Sequence, residues 1–172
     1  MIRNVHSREL PVPVSEVGPL LDGLLEPGSV WPSAGWPTLR LDRGLVVGSA
    51  GGHGPIRYRV TDYQPGRRLE FRFDPSMGVD GTHVFELSAG PQPESTLVRH
   101  TLTGRPTFTG RLRWAFAIRW LHDALLEDLL DNVAVAVGHP PARPARWSPW
   151  VRLVRRAVDR QATPARTQPA PQ

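Results

Sequence analysis

Cysteine and lysine are both missing from this 172-residue sequence. Without cysteine there is no disulfide, no cysteine-ligated zinc or iron–sulfur cluster, and no thiol nucleophile. The same absence counts against a small secreted scaffold stapled by disulfides. Without lysine there is no Schiff-base chemistry and no Lys-Ser/Thr ending of a phosphate-binding loop. All 21 basic residues are arginine. No apolar run approaches the ~18 residues that a bilayer-spanning helix needs. Met1–His6 lacks the apolar stretch of a secretory signal. A cytoplasmic location is therefore the expectation.

Acidic residues are scarce at one end only. Residues 1–138 hold 14 Arg and 15 Asp plus Glu, a net charge of −1. Residues 139–172 hold seven Arg against the single acid Asp159, a net charge of +6. The overall +5 thus belongs to the tail, and the rest of the chain has no electrostatic motive for binding nucleic acid. Hydrophobic residues make up 40% and charged residues 22% of the chain, ordinary values for a domain with a real core. Two regions follow: a globular domain over 1–138, and a basic, proline-rich tail over 139–172.

Period-two alternation dominates the middle of the chain. Ile56, Tyr58 and Val60 alternate with Arg57, Arg59 and Thr61. Leu69, Phe71 and Phe73 alternate with Arg68, Glu70 and Arg72. His83, Phe85 and Leu87 alternate with Thr82, Val84 and Glu86, and Val98, His100 and Leu102 with Leu97, Arg99 and Thr101. One buried and one wet face per strand is antiparallel meander behaviour. Ile2–Leu10 reads as a polar edge strand and Leu39–Val47 as another strand. Ser15 is placed to cap a short helix over Glu16–Leu25, and Gly48–Pro55 reads as a glycine-rich turn or bulge.

From about Leu112 to Val137 the period becomes helical. Trp114, Ile118, Leu121, Leu125, Leu129 and Val133 form an apolar stripe, and Asp123, Glu127, Asp128 and Asp131 fill the other side. A lone helix of that length buries its stripe only against the apolar face of the sheet. The expected fold is α+β: a curved antiparallel sheet wrapped around a long C-terminal helix, the helix-grip arrangement.

This element order resembles the START-like (SRPBCC) superfamily, the polyketide cyclase/dehydrase and lipid-transport group, in a bacterial branch. The resemblance covers residues 1–138. It rests on Gly52-His53-Gly54-Pro55-Ile56-Arg57-Tyr58, Gly81-Thr82-His83-Val84-Phe85-Glu86, Leu97-Val98-Arg99-His100 and Leu121-His122-Asp123-Ala124-Leu125-Leu126-Glu127-Asp128. It implies an internal cavity for a lipid-, hormone- or polyketide-like molecule, and in some members cyclisation or dehydration. It carries no universal catalytic motif, and a fold alone does not give a function.

Three histidines fall on inward positions: His83 and His100 on adjacent strands, and His122 on the helix stripe. Inside an apolar cavity, neutral imidazoles there would orient a ligand's oxygen or shuttle a proton. The bland alternative is that each histidine satisfies a partner within the fold. His83 and His100 are the candidate catalytic residues. The candidate ligand-binding set is Tyr58, Phe71, Phe73, His83, Phe85, His100, Ile118, His122 and Leu125. The three histidines lack the His-x-His or His-x₃-His spacing that would specify a metal, so no metal or other cofactor is expected. Gly48–Gly54 lacks the phosphate-loop pattern, and Gly48-Ser49-Ala50-Gly51 is not a nucleophile elbow.

Arg57, Arg59, Arg68 and Arg72 face outward, where cross-strand pairing with Glu70 and Glu86 is the expectation. Trp31 and Trp36 sit in an early loop, either as a lid or packed down, while Trp114 and Trp120 are expected against the core. In the tail, Trp147–Gln161 interleaves arginine with Val151, Leu153, Val154 and Val158. This weakly amphipathic pattern suits an anionic lipid surface or an acidic partner, or a plain solvated helix. Thr163–Gln172 reads as low-complexity chain. Three functions stay open: binding of a small hydrophobic molecule, a cyclase or dehydratase using pocket His and Tyr, and a non-catalytic interaction module acting through the tail.

Overall fold

The computed structural model describes residues 1–162, with side chains described through residue 158. Seven strands form one antiparallel sheet: β1 (Ile2–Leu10), β2 (Arg40–Leu41), β3 (Ala50–His53), β4 (Ile56–Gln64), β5 (Arg68–Phe73), β6 (Val79–Ala89) and β7 (Thr96–Pro106). Their order is β1-β7-β6-β5-β4-β3-β2. Four helices accompany them: α1 (Val14–Asp22), α2 (Phe108–Arg113), α3 (Arg119–Ala136) and α4 (Pro149–Ala162). A π-turn over Trp114–Ile118 joins α2 to α3. The resulting rod, Phe108 to Ala136, reaches ~43 Å at 1.5 Å per residue.

The apolar stripe and the alternating strands meet as the sequence requires. Leu125, Leu126, Leu129, Leu130 and Val133 of α3 share one core with Tyr58, Val60, Leu69, Phe71, Phe85, Leu87 and Val98. Each such side chain contributes roughly 1.5–3 kcal/mol by leaving water. This is the helix-grip architecture. The long helix starts at Thr107, whose side chain accepts the Gly110 N–H, and stops at Gly138, which adopts φ 78°.

Several local expectations change. The strand expected over Leu39–Val47 is reduced to Arg40–Leu41. The Asp42 carboxylate takes the Ser49 hydroxyl and the Ala50 N–H, both at 2.8 Å, and so diverts the chain into a loop. The glycine-rich segment instead contributes strand β3. Gly51 is required there, because a Cβ at that position would lie 2.0 Å from the Arg40 carbonyl oxygen of β2. Helix α1 has Pro13 rather than Ser15 at its N-cap, with no side-chain capping bond.

The acidic side of the long helix is not simply solvated. Asn4, His6 and Arg8 alternate inward on edge strand β1 and meet the helix. Asn4 Nδ2 donates to Asp123 at 2.9 Å; His6 faces both Asp123 and Glu127; Arg8 donates to Glu127 at 3.1 Å and to Asp131 at 2.5 Å. Two strand residues rise ~6.7 Å and four helix residues ~6.0 Å, so the two polar series stay in register. Asp128 accepts the indole N–H groups of Trp36 and Trp147, at 2.8 and 2.7 Å. Trp31 and Trp36 are both buried, packed down rather than held as a lid. Trp120, expected against the core, is exposed.

Cross-strand arginine pairing is only partly as expected. Arg68 pairs with Asp62, Glu70 and Glu86. Arg72 pairs with Asp80 instead, while Arg57 and Arg59 donate to backbone carbonyls of Gly54, Ile56 and Gly48. In the tail, the Ser148 hydroxyl accepts the Val151 N–H at the start of α4. Val151 is buried in the core, and the Arg155 guanidinium donates to the Gly35 carbonyl and covers the Trp36 ring at 5.5 Å. The low-complexity stretch Thr163–Gln172 lies outside the described residues.

Candidate functional site

Five of the six histidines gather on the inner face of the sheet and the facing helix. His83 on β6 stands opposite Leu102 of β7, and His100 opposite Phe85, so the two rings are diagonal neighbours. Their ring centroids are 5.5 Å apart, and His100 Nε2 lies 3.3 Å from His83 Nδ1. His122 comes from α3, 5.1 Å from His100, and His6 from β1, 5.9 Å from His122. At the other end, His53 of β3 lies 6.0 Å from Tyr58, which is 4.8 Å from His83. The row therefore runs from β3 to edge strand β1.

Aromatic carbon walls this row in. Phe71 and Phe73 stack on His83 at 4.9 and 5.0 Å, and Phe85 lies 4.5 Å from His100. Trp114 lies 5.9 Å from His122. Of the residues singled out from sequence, Tyr58, Phe71, Phe73, His83, Phe85, His100 and His122 thus form one connected cluster. Ile118 and Leu125 flank His122 along the rod: Ile118 is half-buried, and Leu125 sits in the hydrophobic core. His6 and His53 were not anticipated. His6 follows the same period-two rule as the others, but on a strand whose inner face is polar, while His53 hides between glycines.

Burial sets the charge state. It pushes His83 and His100 well below the ordinary histidine value, with the charges of neighbouring histidines adding to the effect. It lowers His53 to about 4. His122 is also lowered by burial, against the pull of Asp123. Burial raises the Tyr58 phenol far above its usual range, so it stays a hydrogen-bond donor. His6 is the exception: its bond to Asp123 raises it, burial opposes, and Glu127 adds to the rise.

The neutral pair His83–His100 has a definite hydrogen-bonding consequence. One ring donates to the other, so the two outer nitrogens, His83 Nε2 and His100 Nδ1, amount to one N–H and one lone pair whichever tautomers are present. Both atoms are buried without a partner, as are both ring nitrogens of His122 and Asn4 Oδ1. Such groups are rare in folded proteins, because each costs roughly 1–3 kcal/mol when unsatisfied.

The rod is least packed where it approaches this row. Neither α2 nor the π-turn has a buried residue, and π-turns recur at functional sites. A pocket of about 720 Å³ touches Tyr58 and Phe73 of the cluster but none of its histidines. The rest of its lining is largely polar, with Arg57, Arg59, Thr61, Arg72 and Asp80, and Arg57, Arg59, Thr61 and Arg72 are outward members of the alternation.

Comparison with known proteins agrees with this architecture. The family described as polyketide cyclase / dehydrase and lipid transport matches residues 1–138. The chain belongs to this family. No curated protein matches it. A solution structure from Thermobifida fusca is similar at TM-score 0.58 and 17% identity, covering 83% of this chain and 99% of that one. CalU16 from Micromonospora echinospora is similar at TM-score 0.54 and 15% identity, covering 92% and 84%. A norcoclaurine synthase point mutant from Thalictrum flavum, in complex with a transition-state analogue, is similar at TM-score 0.59 and 10% identity, covering 80% and 96%. At these identities the likeness to the solved structures shows a shared fold, and any activity has to be argued from this chain's own residues.

Proposed function

We propose that this protein binds a small, mainly apolar molecule bearing a hydroxyl or carbonyl group, held on the inner face of the sheet against His83, His100 and His122. The observation that carries the reading is the set of buried ring nitrogens without partners on neutral imidazoles. An apolar ligand covers the aromatic walls Phe71, Phe73 and Phe85. A hydroxyl satisfies both the donor and the acceptor that the pair leaves open, whereas a carbonyl oxygen satisfies only the donor. Small-molecule sites typically combine apolar lining with a few placed polar groups. The lightly packed segment around Trp114–Ile118 is the natural entry. Native mass spectrometry of protein purified from its own host is expected to show a copurifying adduct that is released on denaturation. A ligand-free spectrum, together with no binding across a panel of hydroxylated and keto hydrophobes, sinks the reading.

The neutral His83–His100 pair beside the protonated Tyr58 phenol also suits proton transfer, as a cyclase or dehydratase would use. Turnover that collapses on changing either histidine while binding persists would favour that reading over simple carriage.

The exposed surface supports a further contact. Phe108, Leu112, Phe116 and Trp120 recur every four residues and are all exposed, as are Trp150 and Leu153 of α4. The Trp150 indole donates to the Phe116 carbonyl at 3.1 Å, which joins the two helices into one face. Arg111, Arg113, Arg119, Arg152 and Arg156 accompany it. Aromatic groups among arginines suit an anionic bilayer surface. Co-sedimentation with phosphatidylglycerol vesicles is expected, and not with phosphatidylcholine vesicles. A Phe116→Ala/Trp150→Ala variant is expected to lose it. Equal sedimentation with both lipids or with neither removes this contact from the account.

A further inference from the structure

At the β1 end of the ligand-binding row, the seam between β1 and α3 holds an arrangement of donor atoms that shares His6 and His122 with it. Ligand atoms of His6, His122 and Asp123 all lie within 4.8 Å of one another. His6 Nε2 is 3.1 Å from Asp123 Oδ1, and His122 Nδ1 is 3.8 Å from the same oxygen. Two ligands each ~2.1 Å from one ion are at most ~4.2 Å apart. At a tetrahedral angle the same ligands lie ~3.4 Å apart, so closing the set from 4.8 Å takes up to ~1.4 Å of movement shared between side chains. The backbone already fixes the three residues from two elements, with His122 and Asp123 consecutive on α3 and His6 across the seam on β1.

The surrounding groups are those that a metal site uses. Glu127 Oε1 lies 2.8 Å from His6 Nδ1, which keeps that ring's N–H on the carboxylate, and on metal binding Nε2 gives up the proton it shares with Asp123 and presents its lone pair. A carboxylate on the far nitrogen is the usual way a metal-binding imidazole is held in its tautomer. Glu127 is itself anchored by Arg8 at 3.1 Å. Asn4 Nδ2 donates to Asp123 Oδ1 at 2.9 Å and fixes the carboxylate. Its own Oδ1 is buried without a partner, a further neutral oxygen beside the set. The independent sign of a missing occupant is His122: both of its ring nitrogens are buried and neither has a hydrogen-bond partner, although an acid, Asp123, stands next to it.

We propose that His6, His122 and Asp123 bind a divalent first-row transition-metal ion, with Glu127 and Asn4 positioning His6 and Asp123. Two imidazole nitrogens and one carboxylate oxygen suit Zn²⁺, Fe²⁺ or Co²⁺ rather than Mg²⁺ or Ca²⁺, which prefer oxygen alone. Three protein ligands leave coordination positions open for water or for a ligand oxygen. The site goes beyond hydrophobic-ligand binding and does not depend on it.

The test uses the full chain, dialysed against a chelator and titrated with Zn²⁺ in a calorimeter. A saturable isotherm of one ion per chain is expected. His6→Gln and Asp123→Asn are expected to abolish it. Glu127→Gln, which touches only the far side of the His6 ring, is expected to weaken it ~10–100-fold. His139→Gln, at an exposed histidine remote from the seam, is expected to leave it unchanged. Circular dichroism checks that each variant is folded. A measurement that needs no variant is the visible spectrum of the Co²⁺-loaded protein, expected to show nitrogen ligation rather than the aquo ion. No uptake, uptake surviving both His6→Gln and Asp123→Asn, or an aquo-like Co²⁺ spectrum overturns the proposal; the first of these means that a proton on His6 bridges Asp123 and Glu127 instead. Hydrophobic ligand plays no part in the titration, so its outcome and the fate of the ligand-binding reading are separable.

Discussion

Replacing His83 and His100 together by phenylalanine is expected to stabilise the ligand-free protein while weakening its hold on a hydrophobic ligand. The two rings are buried, and each keeps one nitrogen without a partner. Leaving such an atom unsatisfied costs roughly 1–3 kcal/mol, whereas one hydrogen bond contributes about 0.5–1.5 kcal/mol net. The bond that joins the rings, at 3.3 Å, is at the long end of useful geometry. The substitution therefore removes two penalties and one modest gain. Tyr58, Phe71, Phe73 and Phe85 already surround the site, so phenylalanine matches the chemistry of its walls. Its slightly larger ring offsets part of the benefit, because overpacking costs roughly 1–3 kcal/mol. The net expectation is a gain of about 1–2 kcal/mol, read as a rise of several degrees in melting temperature. Ligand affinity is expected to fall by about 10–100-fold, roughly 1.4–2.8 kcal/mol. A destabilised double variant with unchanged affinity would make the histidines structural and remove the site.

This pairing of stability loss with binding explains which parts of the site were legible in the sequence. Strands β4 to β7 and the long helix announce themselves, because burial on one face writes a period of two or of 3.6 into consecutive residues. His83, His100 and His122 stand out as polar interruptions of those apolar series, which is why their inward placement could be read locally. His6 could not be read that way. Its neighbours on the inner face of β1, Asn4 and Arg8, are polar too, and the face looks like an outer one until its partners Asp123, Glu127 and Asp131 are known. Those partners lie more than a hundred residues away and look, on the helix alone, like a solvated stripe. The only local sign is the matched spacing of two on the strand and four on the helix. His53 and β3 were hidden for a different reason. Glycines that normally signal a turn here allow strands to approach closely, as Gly51 does beside Arg40.

Acid is expected to unfold the protein over a window in which most proteins are indifferent, between about pH 6.5 and pH 4. His53, His83 and His100 have their pKa values lowered by burial in the folded state. In the unfolded chain they return to about 6.5. Between the two values the unfolded state binds protons that the folded state refuses, so stability rises with pH there and is lost as the pH falls. Above about pH 6.5 both states are neutral and the loss vanishes. Each group contributes a slope of ~1.4 kcal/mol per pH unit. For His53, a fall from 6.5 to about 4 amounts to ~3 kcal/mol, reduced toward ~2 kcal/mol by the solvent that its half-buried ring retains. His83 and His100, more deeply buried, shift in the same direction and add to the loss. The raised pKa of His6 works in the opposite sense: its stabilisation is full below about pH 6.5 and fades as the pH rises through its folded value. His122, also lowered by burial, adds to the loss, and His6 brings no opposing slope below about pH 6.5 because it is protonated there in both states. Chemical denaturation in the presence of chelator, at steps from pH 7.5 to pH 4.5, is expected to show the midpoint falling steeply below pH 6.5, with net proton uptake on unfolding. The His83→Phe/His100→Phe variant should retain only the His53 and His122 contributions, leaving a shallower fall over the same window. A flat profile in the unmodified protein would mean that water reaches the row and keeps its imidazoles at ordinary values, and the argument for neutral, unpartnered nitrogens would fall with it.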